Sequence, residues 1–195
     1  MHKREKMTRA WTRESQKHLG RRKYGGQSKA AKSILPLLPK GTKIVEPFAG
    51  HAHVSVAALK SGKFSEAVLG DLNCKALTWV KKNRKTDKIK MKCQDWKKTV
   101  AQNDGPNTVF VFDPPWKAET SCYTAYRGNC KQVADEIVEK SKSLRGGSVL
   151  LLGDTPEHRK IACSRSSKFH CKTITVDSKI FGNKSEWKEI VAIKK

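Results

Sequence analysis

The chain predicts a single α/β domain built on a doubly wound, mostly parallel central sheet with a C-terminal antiparallel hairpin. Three observations carry that expectation. Short uncharged runs of β-branched and aromatic residues alternate with stretches of helical apolar spacing. The first run is followed by a tight glycine-containing loop and a helix, and a second run ends on an acid roughly twenty residues later. The last two apolar runs are joined by a polar loop with no helical stretch between them. A length of 195 residues suits one domain with a sizeable core.

Charge narrows the partner. The chain holds 41 Lys+Arg against 18 Asp+Glu, a net charge of +23, which points to a polyanion and first of all to nucleic acid. No apolar run approaches the ~18 residues of a membrane span. The N-terminus is charged throughout, so no membrane partner and no signal peptide are expected, and a cytoplasmic location is. Six cysteines (74, 93, 122, 130, 163 and 171) form no C-x-x-C pair, so neither zinc nor a disulfide framework is expected.

The elements follow in order. Residues 1–22 read as a basic N-terminal arm, flexible or ordered by nucleic acid, and residues 23–195 as the domain proper. Tyr24-Gly25-Gly26-Gln27 leads a helix over Ala30–Leu38, where free N–H groups at a positive dipole end suit a carboxylate or phosphate. Lys43–Val45 reads as a buried strand running into Glu46-Pro47-Phe48-Ala49-Gly50, followed by a helix over Val54–Leu59. The strand Ala67–Gly70 ends on Asp71, placed to accept hydrogen bonds from ribose hydroxyls. A helix over Cys74–Lys85 precedes a strand over Lys88–Cys93, with Asp95 at its carboxyl end, and 102–107 is rich in turn formers.

Thr108–Phe112 is an uncharged run of β-branched and aromatic residues and opens into Asp113-Pro114-Pro115-Trp116. The prolines remove two N–H donors, leaving carbonyl oxygens, one carboxylate and a large aromatic face. That is an acceptor-only pocket with a stacking wall, suited to a planar ring bearing an exocyclic amino group. Lys117–Asn129 reads as a loop over the pocket, with Tyr123, Tyr126 and Arg127 available to a base. A helix over Gln132–Leu144, a strand over Ser148–Leu152, a short helix over Glu157–Ser164 and hairpin strands over Phe169–Val176 and Glu189–Ile193 complete the chain.

In motif order the chain resembles the Dam-like (D12 class) adenine-N6 DNA methyltransferases. Tyr24-Gly25-Gly26-Gln27 stands for their aromatic-Gly-Gly-Lys, Glu46 to His53 for Glu-Pro-Phe-x-Gly-x-Gly, Gly70-Asp71-Leu72-Asn73 for Ala-Asp-x-Asn, and Asp113 to Trp116 for Asp-Pro-Pro-Tyr. The resemblance implies a Rossmann-like S-adenosylmethionine-dependent methyltransferase fold and DNA as the polymer ahead of RNA. It implies a cofactor held by Tyr24, Gly26, Gln27, Glu46, Pro47, Phe48, Gly50, Asp71, Asp95 and Asp113. Catalysis would fall to Asp113, Pro114, Pro115 and Trp116, with Trp116, Tyr123, Tyr126 and Arg127 on the substrate; no metal is implied.

The departures are Gln27 for lysine, His53 in place of the second loop glycine, and Trp116 for tyrosine, a change also found in RNA adenine methyltransferases and in relaxed-specificity DNA ones. Only about forty residues separate Asp71 from Asp113, too few for a separate target-recognition domain. Affinity then rests on phosphates, with low sequence specificity, as would suit a phage or mobile element protecting its DNA. Four alternatives stand beside this reading: an RNA adenine-N6 enzyme, N4-cytosine methylation, a non-catalytic nucleic-acid-binding relic, and a dinucleotide-binding oxidoreductase, in which Asp113 to Trp116 would have no role.

Overall fold

The computed structural model describes residues 27–84, 86–114, 130–180 and 183–195. A seven-stranded sheet forms its centre, in the order β3-β2-β1-β4-β5-β7-β6. The strands are β1 (Lys43–Glu46), β2 (Glu66–Asp71), β3 (Ile89–Cys93), β4 (Thr108–Phe112), β5 (Gly147–Gly153), β6 (His170–Ile180) and β7 (Asn183–Lys194). β1 to β5 are parallel, β1 pairing with β2 through Ile44↔Ala67 and with β4 through Val45↔Phe110. β7 pairs antiparallel with β5 and with β6, so the expected parallel sheet with a terminal hairpin is what the chain forms.

The helices are α1 (Gln27–Ile34), α2 (His53–Lys60), α3 (Cys74–Asn83), α4 (Trp96–Ala101), α5 (Cys130–Ser143) and α6 (Pro156–Ala162). Strand side chains alternate between two cores. Ile44, Leu69, Val109, Val111 and Leu151 bury against α1, α2 and α3. Val45, Val68, Phe110, Phe112 and Leu150 bury against α4, α5 and α6. β4 is buried at every position, as its unbroken apolar run requires.

Three boundaries differ from expectation. The first helix runs Gln27–Ile34 and tightens into a 3-10 turn at Leu35–Leu37, because Pro36 lacks the N–H an α-helix would continue with. α4 was not expected at all; Asp95 starts it by accepting the Lys97 N–H at 2.7 Å, and Trp96 and Val100 anchor it one turn apart. The hairpin strands are longer at their outer ends than their apolar cores suggest.

The cysteines also depart from expectation. Cys74 is joined to Cys93, and Cys163 to Cys171, with Cα–Cα separations of 5.2 and 5.8 Å. The register Asp71↔Cys93 sets the first pair side by side, a proximity that sequence spacing does not reveal. Among the described residues, no helix is long and apolar enough to cross a membrane.

Candidate active site

Four neighbouring parallel strands each end on, or within two residues of, a carboxylate: Glu46 after β1, Asp71 after β2, Asp95 after β3 and Asp113 after β4. A parallel sheet gathers these ends along one edge, where chain direction leaves room for a ligand. The four acids are not equivalent.

Glu46 is buried and accepts the Ser55 N–H from the first turn of α2. Burial pushes its carboxyl up from 4.5 to about 7, against the opposing pull of Ser55. It therefore braces the helix from beneath. Asp71 is half-buried and binds two backbone amides, Gly50 N–H at 2.8 Å and Asn73 N–H at 2.7 Å. Burial raises its pKa and the two hydrogen bonds oppose the rise. A carboxylate offers about four acceptor positions, so room remains for hydroxyl donors from a ligand. The Asp71 carbonyl in turn accepts the Gln94 N–H at 3.1 Å, which ties the end of β2 to the end of β3. Asp95 spends one oxygen capping α4 and is half-buried. Asp113 is half-buried at the mouth of β4, with Pro114 buried behind it.

The loop between β1 and α2 wraps Asp71. Ala49 N–H reaches the Gly70 carbonyl at 3.0 Å, and Ala52 N–H the Ala49 carbonyl at 2.6 Å. Gly50 and Ala52 both lie in the left-handed region, at φ 48° and 53°. The sequence reading set His53 in place of the second glycine; the backbone assigns that place to Ala52. A left-handed turn needs a residue with little or no side chain, and Ala52 is fully enclosed. His53 simply begins α2. Pro47 is buried, and Phe48 turns into the core with its ring centroid 6.2 Å from Trp96. Phe48 thus anchors the loop, leaving the Gly50 end as its outer part.

A second group braces the same loop from α3. The His51 ring stacks on Trp79 at 3.9 Å and 15°, and the Arg84 guanidinium lies 5.5 Å over Trp79 and 3.4 Å from His53 Nδ1. Burial first, then His53 and Arg84, lower the His51 pKa to about 4, so this imidazole stacks in its neutral form. Sequence reasoning missed Ser55, Trp79 and Arg84, and named Asn73 only as part of a motif, without its bond to Asp71. One signal was available: Trp79 is a large apolar residue, 37% exposed, on a helix face otherwise lined with lysine.

The remaining expected residues lie elsewhere. Gln27 opens α1, but its side chain is outside the described residues, as are Tyr24, Gly26, Pro115, Trp116, Tyr123, Tyr126, Arg127 and the 1–22 arm. A groove of about 640 Å³ between α4 and α5 is lined by residues such as Trp96, Ala101, Glu136 and Lys140, and by none of the strand-end acids.

No protein-family model matches the chain, and no curated protein matches it in sequence. Solved structures do share its fold. A candidate RNA methyltransferase from Pyrococcus horikoshii superposes with a TM-score of 0.60 at 16% identity, covering 84% of this chain and 81% of that one. TrmK of M. capricolum, in complex with the natural cofactor product S-adenosyl-homocysteine, gives 0.57 at 15%, covering 85% and 67%. A candidate tRNA (m1A22) methyltransferase of Streptococcus pneumoniae, in complex with S-adenosyl-L-methionine, gives 0.57 at 12%, covering 85% and 72%. At such identities the likeness is one of fold: the chain has the Rossmann-like architecture these proteins share.

Proposed function

We propose that the chain is an S-adenosylmethionine-dependent methyltransferase acting on the N6 amino group of adenine in nucleic acid, with RNA as the first substrate to test. The observation that carries this reading is Asp113 at the mouth of the fully buried β4, followed by Pro-Pro-Trp, on the same edge as Asp71 and the left-handed loop. RNA comes ahead of the DNA expected from sequence because the solved structures of this fold include candidate RNA and tRNA methyltransferases. The motif order from Tyr24 to Trp116 favours DNA as the second reading.

The residues present suit the cofactor. Asp71 keeps acceptor capacity for two ribose hydroxyls after binding Gly50 and Asn73. Asp95 is placed for the adenine amino group, and the loop around Gly50 for the methionine part. When bound, S-adenosylmethionine supplies a methyl group on a positively charged sulfur. The protein's part is orientation and polarisation. Asp113 accepts a hydrogen bond from the target amino group and the Pro114 carbonyl accepts a second, which concentrates the lone pair on the nitrogen that attacks. Trp116 would stack on the extruded base. Holding the two reactants in line supplies most of the rate, with no covalent enzyme intermediate.

Asp113→Ala is expected to lower turnover at least about 100-fold and to weaken cofactor binding far less than it lowers turnover. The assay is transfer of labelled methyl to matched single-stranded RNA, single-stranded DNA and duplex DNA, with calorimetry for the cofactor. Undiminished turnover in Asp113→Ala would sink the catalytic assignment. Absence of any cofactor binding in the parent would favour the non-catalytic relic.

A further inference from the structure

We infer that the α3–β3 flank is the surface along which the nucleic-acid strand lies, held through its phosphates and without reading bases. The class of partner rests on the function proposed above; the location rests on charge and exposure. Between Cys74 and Cys93 the chain carries seven lysines and one arginine against a single acid, Asp87. That is a net +7 of the molecule's +23 in twenty residues. The opposite flank, residues 156–195, carries a net +6 spread over forty.

The two flanks differ in density of charge rather than in pairing. On the α6–β6 side Lys160, Arg165, Lys168 and Lys172 are exposed, and among the described residues none of them forms an ion pair. Arg159 on that side is held by both Asp154 oxygens. On the α3–β3 side Lys75, Lys81, Lys82, Lys88 and Lys92 are exposed, and among the described residues none of them forms an ion pair. Lys90 on this flank does pair, with Glu66 at 3.3 Å.

Edge-strand lysines have a second explanation, since they keep β3 from pairing with another chain. That accounts for Lys90 and Lys92 and says nothing of α3, which has no edge to protect. Lys75 occupies the first turn of α3, directly after the Asp71–Asn73 segment, so the basic surface begins at the catalytic edge and runs down the helix. The one large aromatic there, Trp79, already has its ring engaged by His51 and Arg84. No stacking platform is therefore on offer, and the contact this surface makes is with phosphate.

The test is fluorescence anisotropy of the full chain with a labelled single-stranded RNA across a salt series. For a single strand, each phosphate contact adds about 0.7 to the steepness of log K against log salt. The triple variant Lys75→Ala/Lys81→Ala/Lys82→Ala is expected to flatten that slope by about 2. The matched triple Lys160→Ala/Lys168→Ala/Lys172→Ala on the opposite flank is expected to leave it near the parent value. The cofactor Kd, measured by calorimetry, should be the same in all three proteins, which confirms that each is folded. Equal flattening in both triples, or none in the α3 triple, overturns the assignment. A parent that binds RNA but no cofactor would overturn the methyltransferase reading and leave the docking surface standing.

Discussion

Glu46 shows how one side chain can hold a loop and tune stability together. Its carboxyl is enclosed, accepts the Ser55 N–H and is raised by burial from 4.5 to about 7. The native protein therefore keeps a proton that the unfolded chain gives up between those values. Its stabilising contribution is complete below pH 4.5 and is lost as pH climbs through 7. A rise of this size corresponds to about 3 kcal/mol. Glu46→Gln keeps an acceptor oxygen for Ser55 and cannot ionise. Urea melts should show the variant and parent nearly equal at pH 4 and the variant more stable by about 3 kcal/mol at pH 8. Parallel stability curves for the two proteins across that range would show that Glu46 does not titrate as described.

At the scale of elements, the site depends on how closely α4 can approach β2. Gly70 immediately precedes Asp71, and a Cβ added there would run into the Thr99 hydroxyl and methyl. Thr99 cannot easily yield, because it is buried and its hydroxyl donates to the Asp95 carbonyl and accepts from Gln94 Nε2. Gly70→Ala should cost about 1–3 kcal/mol through overpacking. It should also weaken cofactor binding, since both Asp71 and Asp95 border the strained contact. Adding Thr99→Ser to Gly70→Ala removes the methyl and keeps the hydroxyl bonds, so thermal melts should recover part of the loss. Additive losses would mean that the two residues do not meet.

This contact separates what could be read in the sequence from what could not. β4, the Asp71 strand and the Gly50 loop were legible because each is a local run with its own turn chemistry. α4 was missed because six residues with two lysines and a threonine carry little apolar signal without the Asp95 cap. The Cys74–Cys93 pair and the His51–Trp79 stack join positions 19 and 28 residues apart, and only strand register and helix packing bring them together. The second-glycine assignment was off by one: counted from Glu46, the seventh position of Glu-Pro-Phe-x-Gly-x-Gly is Ala52, and its left-handed φ agrees.

Across the whole molecule, a net charge of +23 on 195 residues sets stability and partner binding against each other. Like charges repel within the folded chain, and they are dense along α3 and β3, where seven lysines and one arginine meet a single acid within twenty residues. At about 0.01 M salt the screening length is about 30 Å, comparable to the molecule, and at about 0.15 M it shrinks to about 8 Å. Added salt should therefore raise the melting temperature by screening self-repulsion. The same ions compete with lysine for phosphate. If Lys75, Lys81, Lys82, Lys88 and Lys92 each neutralise one phosphate of a single strand, affinity should fall about a hundredfold between roughly 50 and 200 mM salt. Melting curves and anisotropy titrations in the same buffers should thus move in opposite directions. A melting temperature that falls over that range, or an affinity that holds constant, would show that the excess charge is not the common cause.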